Sequence, residues 1–454
     1  MKNRSTTRRT MMGRTAGVFG AMLGGAAAAA CGPTGQPGAP QAAKEPVTIR
    51  VVARQAQEAD MWPIRLPAFE EKYPNITVQP ELSAGNIREK INTEVAAGTI
   101  GDVVHTHPSA AQPQILYLGG SMRALDDLIA KDKIKLDQWF QVAVDAGRLD
   151  GKVISLPFKG KMGRIAFYFN VTLFEQAGLQ PPNNSWTVDQ VMEAAAKLTT
   201  GTGETKQWGL ATHLPKGQST FTASVRRWNA ETYDKTMLKC LLDSAQAQES
   251  CQWYYDMYHK RRVADPAGSE SKIFLAGRGA MWFNTDYNRK TSIHPAAEQQ
   301  GFKYSAALAP KGPTGRRGGM WISDAMQIST ITQHPEEAWK LLLWLTNKET
   351  GLALAQQTSA GVSTTPGARP DVYNDPKFLD HPVYPRLLQE LDRDATKLNE
   401  SYQVPGNYRL PDFDKVLNAA VDKIRKNEAE PTVSFMRNLT QELQQVLDMP
   451  RIGS

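Results

Sequence analysis

His105 and His107 stand two residues apart in Asp102-Val103-Val104-His105-Thr106-His107. On an extended chain, residues i and i+2 share a face, so the two imidazoles could hold a divalent metal. Structural zinc takes four ligands, and the sequence offers no third one nearby. A place in a cleft or on the surface is the better reading, and no metal is expected. Gly312 to Gly319, Gly-Pro-Thr-Gly-Arg-Arg-Gly-Gly, is glycine-rich and basic and could meet an anion. No helix start follows it, so a loop is the better reading there. The chain has no G-x-S-x-G, H-E-x-x-H, C-x-x-C or G-x-x-x-x-G-K-[ST], and no catalytic residue or cofactor is expected.

The three cysteines have separate readings. Cys31 follows Ala28-Ala29-Ala30, where an apolar run stops. Small residues before a cysteine are the pattern of a bacterial lipid-attachment site. Residues 1–30 have the layout of a signal peptide: basic up to Arg14, then Ala/Gly-rich from Ala16. Arg8-Arg9, followed by Met11-Met12, is similar to the twin-arginine signal. Gly32 to Ala43 is a Pro/Gly tether, so residues 31–45 are expected to link a lipid anchor to a folded body. Cys240 lies in a predicted strand, Thr236–Leu242, and Cys251 in the predicted helix after it. An oxidising compartment would favour a disulfide between them.

The chain has 454 residues, enough for two or three domains, and 41% of them are apolar, so a large core is expected. The formal charge of +7 is concentrated at the start: Lys2, Arg4, Arg8, Arg9 and Arg14 lie there with no acidic residue among them. The remainder is nearly balanced, which argues against a nucleic-acid binder.

The elements behind these residues alternate. Val47–Ala53 reads as a strand, 61–73 as a helix, Ile76–Val78 as a strand, 87–97 as a helix and 102–106 as a strand. That alternation indicates parallel α/β units. Later helices are predicted at 188–199, 245–261, 335–346, 413–426 and 433–447, and a strand at 322–329.

Several stretches in order resemble one family. They are Phe69-Glu70-Glu71-Lys72-Tyr73-Pro74-Asn75-Ile76-Thr77-Val78, then Ala96-Ala97-Gly98-Thr99-Ile100-Gly101-Asp102-Val103-Val104, then Gly120-Ser121-Met122-Arg123-Ala124-Leu125-Asp126. Gly151-Lys152-Val153-Ile154-Ser155-Leu156-Pro157-Phe158 follows, with Phe167-Tyr168-Phe169-Asn170 and Leu173-Phe174-Glu175-Gln176-Ala177-Gly178-Leu179. Phe274-Leu275-Ala276-Gly277-Arg278-Gly279-Ala280-Met281 and Pro335-Glu336-Glu337-Ala338-Trp339-Lys340-Leu341-Leu342 complete the pattern. Together they are similar to the extracellular solute-binding proteins of bacterial ABC importers, the group that includes maltose-binding proteins. Gly101 stands where that family has proline.

The resemblance implies an α/β fold of two lobes, the type II-like periplasmic-binding architecture, with a ligand cleft and a hinge between them. Carried over, the first lobe is 46–157 plus 312–365 and the second is 158–311 plus 366–447, with crossings near Pro157, Lys311 and Pro366. It places ligand-binding residues on loops after strand ends: Arg54, Gln57, His107, Ser109, Lys161, Asn284, Asp286 and Tyr287. Trp228 and Trp321 join them as aromatic candidates. A sugar is the implied solute, its ring faces packing on Tyr287 and Trp321 and its hydroxyls on the polar groups. The implied partners are that mono- or oligosaccharide, permease subunits and the membrane through a lipid anchor. The implied state is an exported monomer at the outer face of the cytoplasmic membrane or in the periplasm, and not an enzyme. The alternative is an anchored carbohydrate-active hydrolase, which would need two cleft carboxylates ~5–9.5 Å apart.

Overall fold

The computed structural model describes residues 45–108, 111–234, 238–359, 362–398, 400 and 409–450. Eleven strands are found among them: β1 Val47–Arg54, β2 Ile76–Ser83, β3 Val103–Thr106, β4 Arg148–Leu149, β5 Lys152–Val153, β6 Leu156–Gly163, β7 Ala166–Asn170, β8 Trp208–Leu210, β9 Gly279–Thr285, β10 Tyr304–Leu308 and β11 Met320–Ile328. They form a five-stranded sheet in the order β2-β1-β3-β11-β6, a four-stranded sheet in the order β10-β7-β9-β8, and the small ladder β4-β5. Each large sheet anchors one lobe.

The first lobe begins as the predicted βαβαβ run. β1 lies parallel to β2 on one side and to β3 on the other. Ile49, Val51, Val52 and Ala53 are fully buried, as befits a strand covered on both faces. The helices Trp62–Lys72 and Ile87–Ala97 make the crossovers. The second is bounded by Asn86, whose side chain accepts the Arg88 N–H, and by Gly98 in the left-handed conformation at φ 67°. Helix Pro335–Leu345 packs Trp339, Leu341 and Leu342 into the same core. In the second lobe, helices Val188–Leu198, Leu410–Arg425 and Val433–Leu447 cover the four-stranded sheet.

The passage between sheets falls at Arg164-Ile165. β6 pairs with β11 up to Gly163, and β7 begins at Ala166 on the other sheet. Pro157 therefore lies inside a strand of the first sheet. Lys159 and Lys161 are strand residues rather than loop residues after a crossing. Return to the first sheet lies between β10 and β11, around Lys311.

Three expectations are corrected by packing. Trp321 belongs to β11 and does not precede it. It is out of step with Ile322, which borders the cleft, so its ring turns to the opposite face. There it is 1% exposed, 4.8 Å from the Phe140 ring, and so close over Gly160 that an added Cβ would come within 2.6 Å of it. Tyr287 is fully buried: its hydroxyl donates to the Ala307 carbonyl at 2.8 Å, and its own carbonyl accepts from Tyr168. A buried tyrosine with a satisfied hydroxyl is a core residue. Trp228 is likewise internal, 5.8 Å from Trp253 and 6.4 Å from Tyr254.

Cys240 and Cys251 are free and buried. Among the described residues no strand forms around Cys240, which makes an isolated bridge to Tyr233. Its backbone N–H donates to Gln444 Oε1 at 2.9 Å, holding it against helix Val433–Leu447 instead of the helix that carries Cys251. That helix also ends earlier than predicted, at Tyr255, and continues as one π-helical turn, Asp256–Lys260.

Trp321→Ala and Tyr287→Ala are each expected to lower unfolding free energy by about 3–5 kcal/mol, the usual cost of emptying an aromatic core position. Denaturant titration checks this. Wild-type stability in both variants would show that the rings are not structural.

Candidate functional site

Strand register gathers the charged residues. At one end of the first sheet, neighbouring strands each bring a polar side chain to a common row: Arg54 from β1, His107 just after β3, Asp324 from β11 and Lys159 from β6. Ala325 pairs with Thr106 and Asp324 with Lys159. The β6–β11 register shifts between Asp324 and Ala325. Such a bulge re-aims a side chain.

Asp324 is the hub of this row. His107 Nδ1 donates to Oδ1 at 2.7 Å, His105 Nε2 lies 3.2 Å from Oδ2, Lys159 Nζ 3.4 Å and Arg54 Nη1 3.7 Å. Burial alone would raise the carboxyl pKa. The hydrogen bonds of His107 and His105 and the charge of Lys159 outweigh it and hold Asp324 well below the usual carboxylate range. Burial lowers His107 to about 4, against the pull of Asp324, so its ring is neutral at pH 7. With Nδ1–H given to Asp324, Nε2 accepts from Arg54 Nη2. Arg54 Nη1 donates to Gln57 Oε1 at 2.8 Å. Lys159 also pairs with the buried Glu58.

Lys161 is two residues along β6 from Lys159 and reaches toward the other lobe. Its Nζ is 3.2 Å from Asp286 Oδ2, just after β9 of the second sheet. Asp286 Oδ1 accepts the Arg164 backbone N–H at 2.9 Å. Burial would raise the Asp286 carboxyl, but Lys161, Arg164 and Arg289 together bring it to about 2. Burial lowers the Lys161 ammonium, against Asp286.

A cleft of about 340 Å³ lies between these groups. Of the expected residues it is lined by Arg54, Gln57, His107, Lys161 and Asp286. Ser109 lies outside the described residues. Asn284 is 1% exposed, at φ 60°, and its side chain donates to the Tyr254 hydroxyl beneath the cleft wall. Trp228, Tyr287 and Trp321 are in the cores described above. Lys159, expected beside Lys161 after the crossing, lines the cleft too. Arg88, Asn288, Arg289, Ser323 and Asp324 line it without having been among the expected ligand contacts, and Ser363 and Thr365 close it. The signal for Asp324 was present: it is a single carboxylate inside an otherwise uncharged strand, Met320 to Ile328. Arg88 and Arg289 carried no such mark. An adjoining hollow of about 390 Å³ runs past Arg54 and His107 to Asn86 and Arg88.

His105, His107 and Asp324 do present ligand atoms within 4.8 Å of one another, so the third ligand missing from the sequence is supplied in space. A divalent cation there would face the Lys159 ammonium and the Arg54 guanidinium, which already neutralise the carboxylate. The cluster works as an ion-pair network.

The bacterial extracellular solute-binding protein family model matches residues 51–351. The chain belongs to that family. Members of that family are extracellular solute-binding proteins. A protein of Brucella abortus (strain 2308) with the provisional name binding protein is 26% identical over 297 residues, covering 62% of this chain and 67% of that one. Among solved structures, an ABC substrate-binding protein of Listeria monocytogenes in complex with cycloalternan superposes with TM-score 0.73 at 17% identity. It covers 89% of the solute-binding protein and 100% of the Listeria chain. UgpB of Mycobacterium tuberculosis in complex with glycerophosphocholine superposes with TM-score 0.72 at 18% identity, over 89% and 99% of the two chains. These two likenesses bear on the fold.

The folded-state pKa of His107, about 4, lies below the ordinary 6.5. Between those values the unfolded chain holds one more proton at this residue, so its contribution is destabilising as pH falls from 6.5 to 4. His107→Gln is expected to flatten the dependence of unfolding free energy on pH in that window by roughly 1.4 kcal/mol per pH unit. Denaturant melts at several pH values check this, and an unchanged slope would show that His107 titrates normally.

Proposed function

We propose that this protein captures its solute in the cleft between the two sheets and delivers it to the permease of an ABC importer. Arg54, Gln57, His107, Lys161 and Asp286 would make contacts, joined by Arg88, Arg289, Ser323 and Asp324. The observation that carries this reading is the contact of Lys161 on the first sheet with Asp286 beside the second, at 3.2 Å. It brings polar groups of both lobes to one cavity, where a bound solute would bridge them. The two lobes are taken as residues 46–163 plus 312–365 and 166–311 plus 366–447. The protein acts as a monomer and binds no nucleic acid.

The same electrostatics weigh against a hydrolase. A glycosidase needs one carboxyl kept protonated as a general acid. Asp286 and Asp324 are both held ionised by neighbouring cations.

Export and anchoring rest on residues outside those described: the twin-arginine pair Arg8-Arg9, the apolar run and Cys31. The signal peptide would direct the chain out of the cytoplasm, and lipid on Cys31 would hold it at the membrane face or in the periplasm through the Pro/Gly tether.

Two experiments test the reading. A solute bound to the folded state alone stabilises it, by about 2.7 kcal/mol at one hundred times Kd. A thermal-shift screen across sugars, polyols, phosphoesters and organic acids is expected to yield a solute that raises Tm and is recovered unchanged. If every solute leaves Tm where it was, the capture reading fails, and turnover of one would favour the hydrolase. Separately, Cys31→Ala is expected to move the protein from the membrane to the soluble fraction. Unaltered membrane retention would exclude the lipid anchor.

A further inference from the structure

The cleft lining is charged, and the charge is one-sided. Arg54, Arg88, Lys159, Lys161 and Arg289 face it, against Asp286 and Asp324, with His107 neutral and Glu58 beneath Lys159. The two carboxylates are already matched, Asp286 by Lys161 and Asp324 by Lys159 and His107. Arg88 and Arg289 are exposed. Arg289 lies 6.0 Å over the Trp282 ring and its charge helps hold Asp286 ionised, and the Arg88 charge reaches Asp414, but among the described residues neither side chain makes a hydrogen bond or a close ion pair. They come from opposite lobes: Arg88 from the first turn of helix Ile87–Ala97, Arg289 from the turn after β9. Two cations facing one cavity repel unless something negative lies between them. The start of the Ile87–Ala97 helix adds its own partial positive charge on the Arg88 side.

A second observation points the same way. Among the described residues, His107 is the one aromatic ring that lines the cleft and Ile322 its one aliphatic wall residue. Those residues give a neutral sugar no stacking platform. What the cleft does offer is hydrogen bonding: the Asn288 carboxamide oxygen is a buried atom without a partner. Buried polar atoms left unpaired are costly unless a ligand or water completes them.

We infer that the solute is a small hydroxylated anion, its carboxylate or phosphate held between Arg88 and Arg289 and its hydroxyls met by Asn288 and the paired carboxylates. This rests on the cleft being the solute site. Closure would then be conditional: the anion would neutralise the two arginines and so let the lobes approach.

Calorimetry with matched solutes tests it on the whole exported chain. Glucuronate supplies the carboxylate and glucose 6-phosphate the phosphate; glucose is the neutral counterpart. At least one of the two anions is expected to bind about tenfold or more tighter than glucose, and more weakly as sodium chloride is raised. Which one wins distinguishes the two sources of charge. Arg88→Gln and Arg289→Gln should each weaken that anion by about 10- to 100-fold, the scale of one charged hydrogen bond, with unliganded Tm unchanged. Lys131→Gln, on the surface beside Glu336, should leave affinity alone. Glucose binding as tightly as either anion, or full affinity in both arginine variants, would overturn the anionic assignment and leave solute capture standing. Anions that do not bind at all also overturn it. Only a wholly negative solute screen would remove capture as well.

Discussion

An ionised aspartate inside a sheet is expensive, and the binding end of the first lobe is organised around compensating one. Asp324 sits in the row between β3 and β6, and four nitrogen-bearing groups converge on it: His105 and His107 in and after β3, Lys159 from β6 and Arg54 from β1. Removing one member of a buried ion pair typically costs about 3–5 kcal/mol, because the charge left behind has no solvent. That penalty fixes the relative positions of Arg54, His107 and Lys159 far more tightly than apolar packing would. The neutral His107 ring is a spacer with direction, giving a proton to Asp324 and taking a hydrogen bond from Arg54.

β6 extends this order to the other lobe. Its alternate lysines share a face but serve different lobes, Lys159 toward Glu58 and Asp324, Lys161 toward Asp286. Five residues after Lys161, at Ala166, the chain has joined the second sheet. The strand that completes the first lobe is thus also the arm that reaches the second. The charges of the cleft are anchored on strands rather than on long loops, which suits a site that must hold its geometry while two bodies move.

Much of the fold was legible from periodicity and caps. Helices Ile87–Ala97 and Val433–Leu447 fall within the predicted bounds, since Asn86, Gly98 and Thr432 mark their ends. The family itself was legible in the order of short motifs. Half of the expected cleft residues line the cleft, namely Arg54, Gln57, His107, Lys161 and Asp286, because charged side chains at strand ends have few other places to go. The aromatic candidates failed for a physical reason. A tryptophan or tyrosine ring carries a large apolar area that favours burial, and one step of strand phase decides which face it takes. That phase could not be fixed for Trp321 without knowing that the strand begins at Met320. Arg88 and Arg289 were hidden because what brings them to one cavity is the meeting of elements about 200 residues apart in the chain.

The fate of the two body cysteines has a practical side. Burial pushes the Cys240 thiol up to about 11 and Cys251 up to about 12. Thiolates are the reactive form, so at neutral pH both sulfurs are silent toward electrophiles as well as hidden from them. In a chain that starts after Cys31, a single cysteine introduced at the rim of the cleft would be the one position open to a maleimide dye. Lobe movement could then be read optically without first engineering the native thiols away.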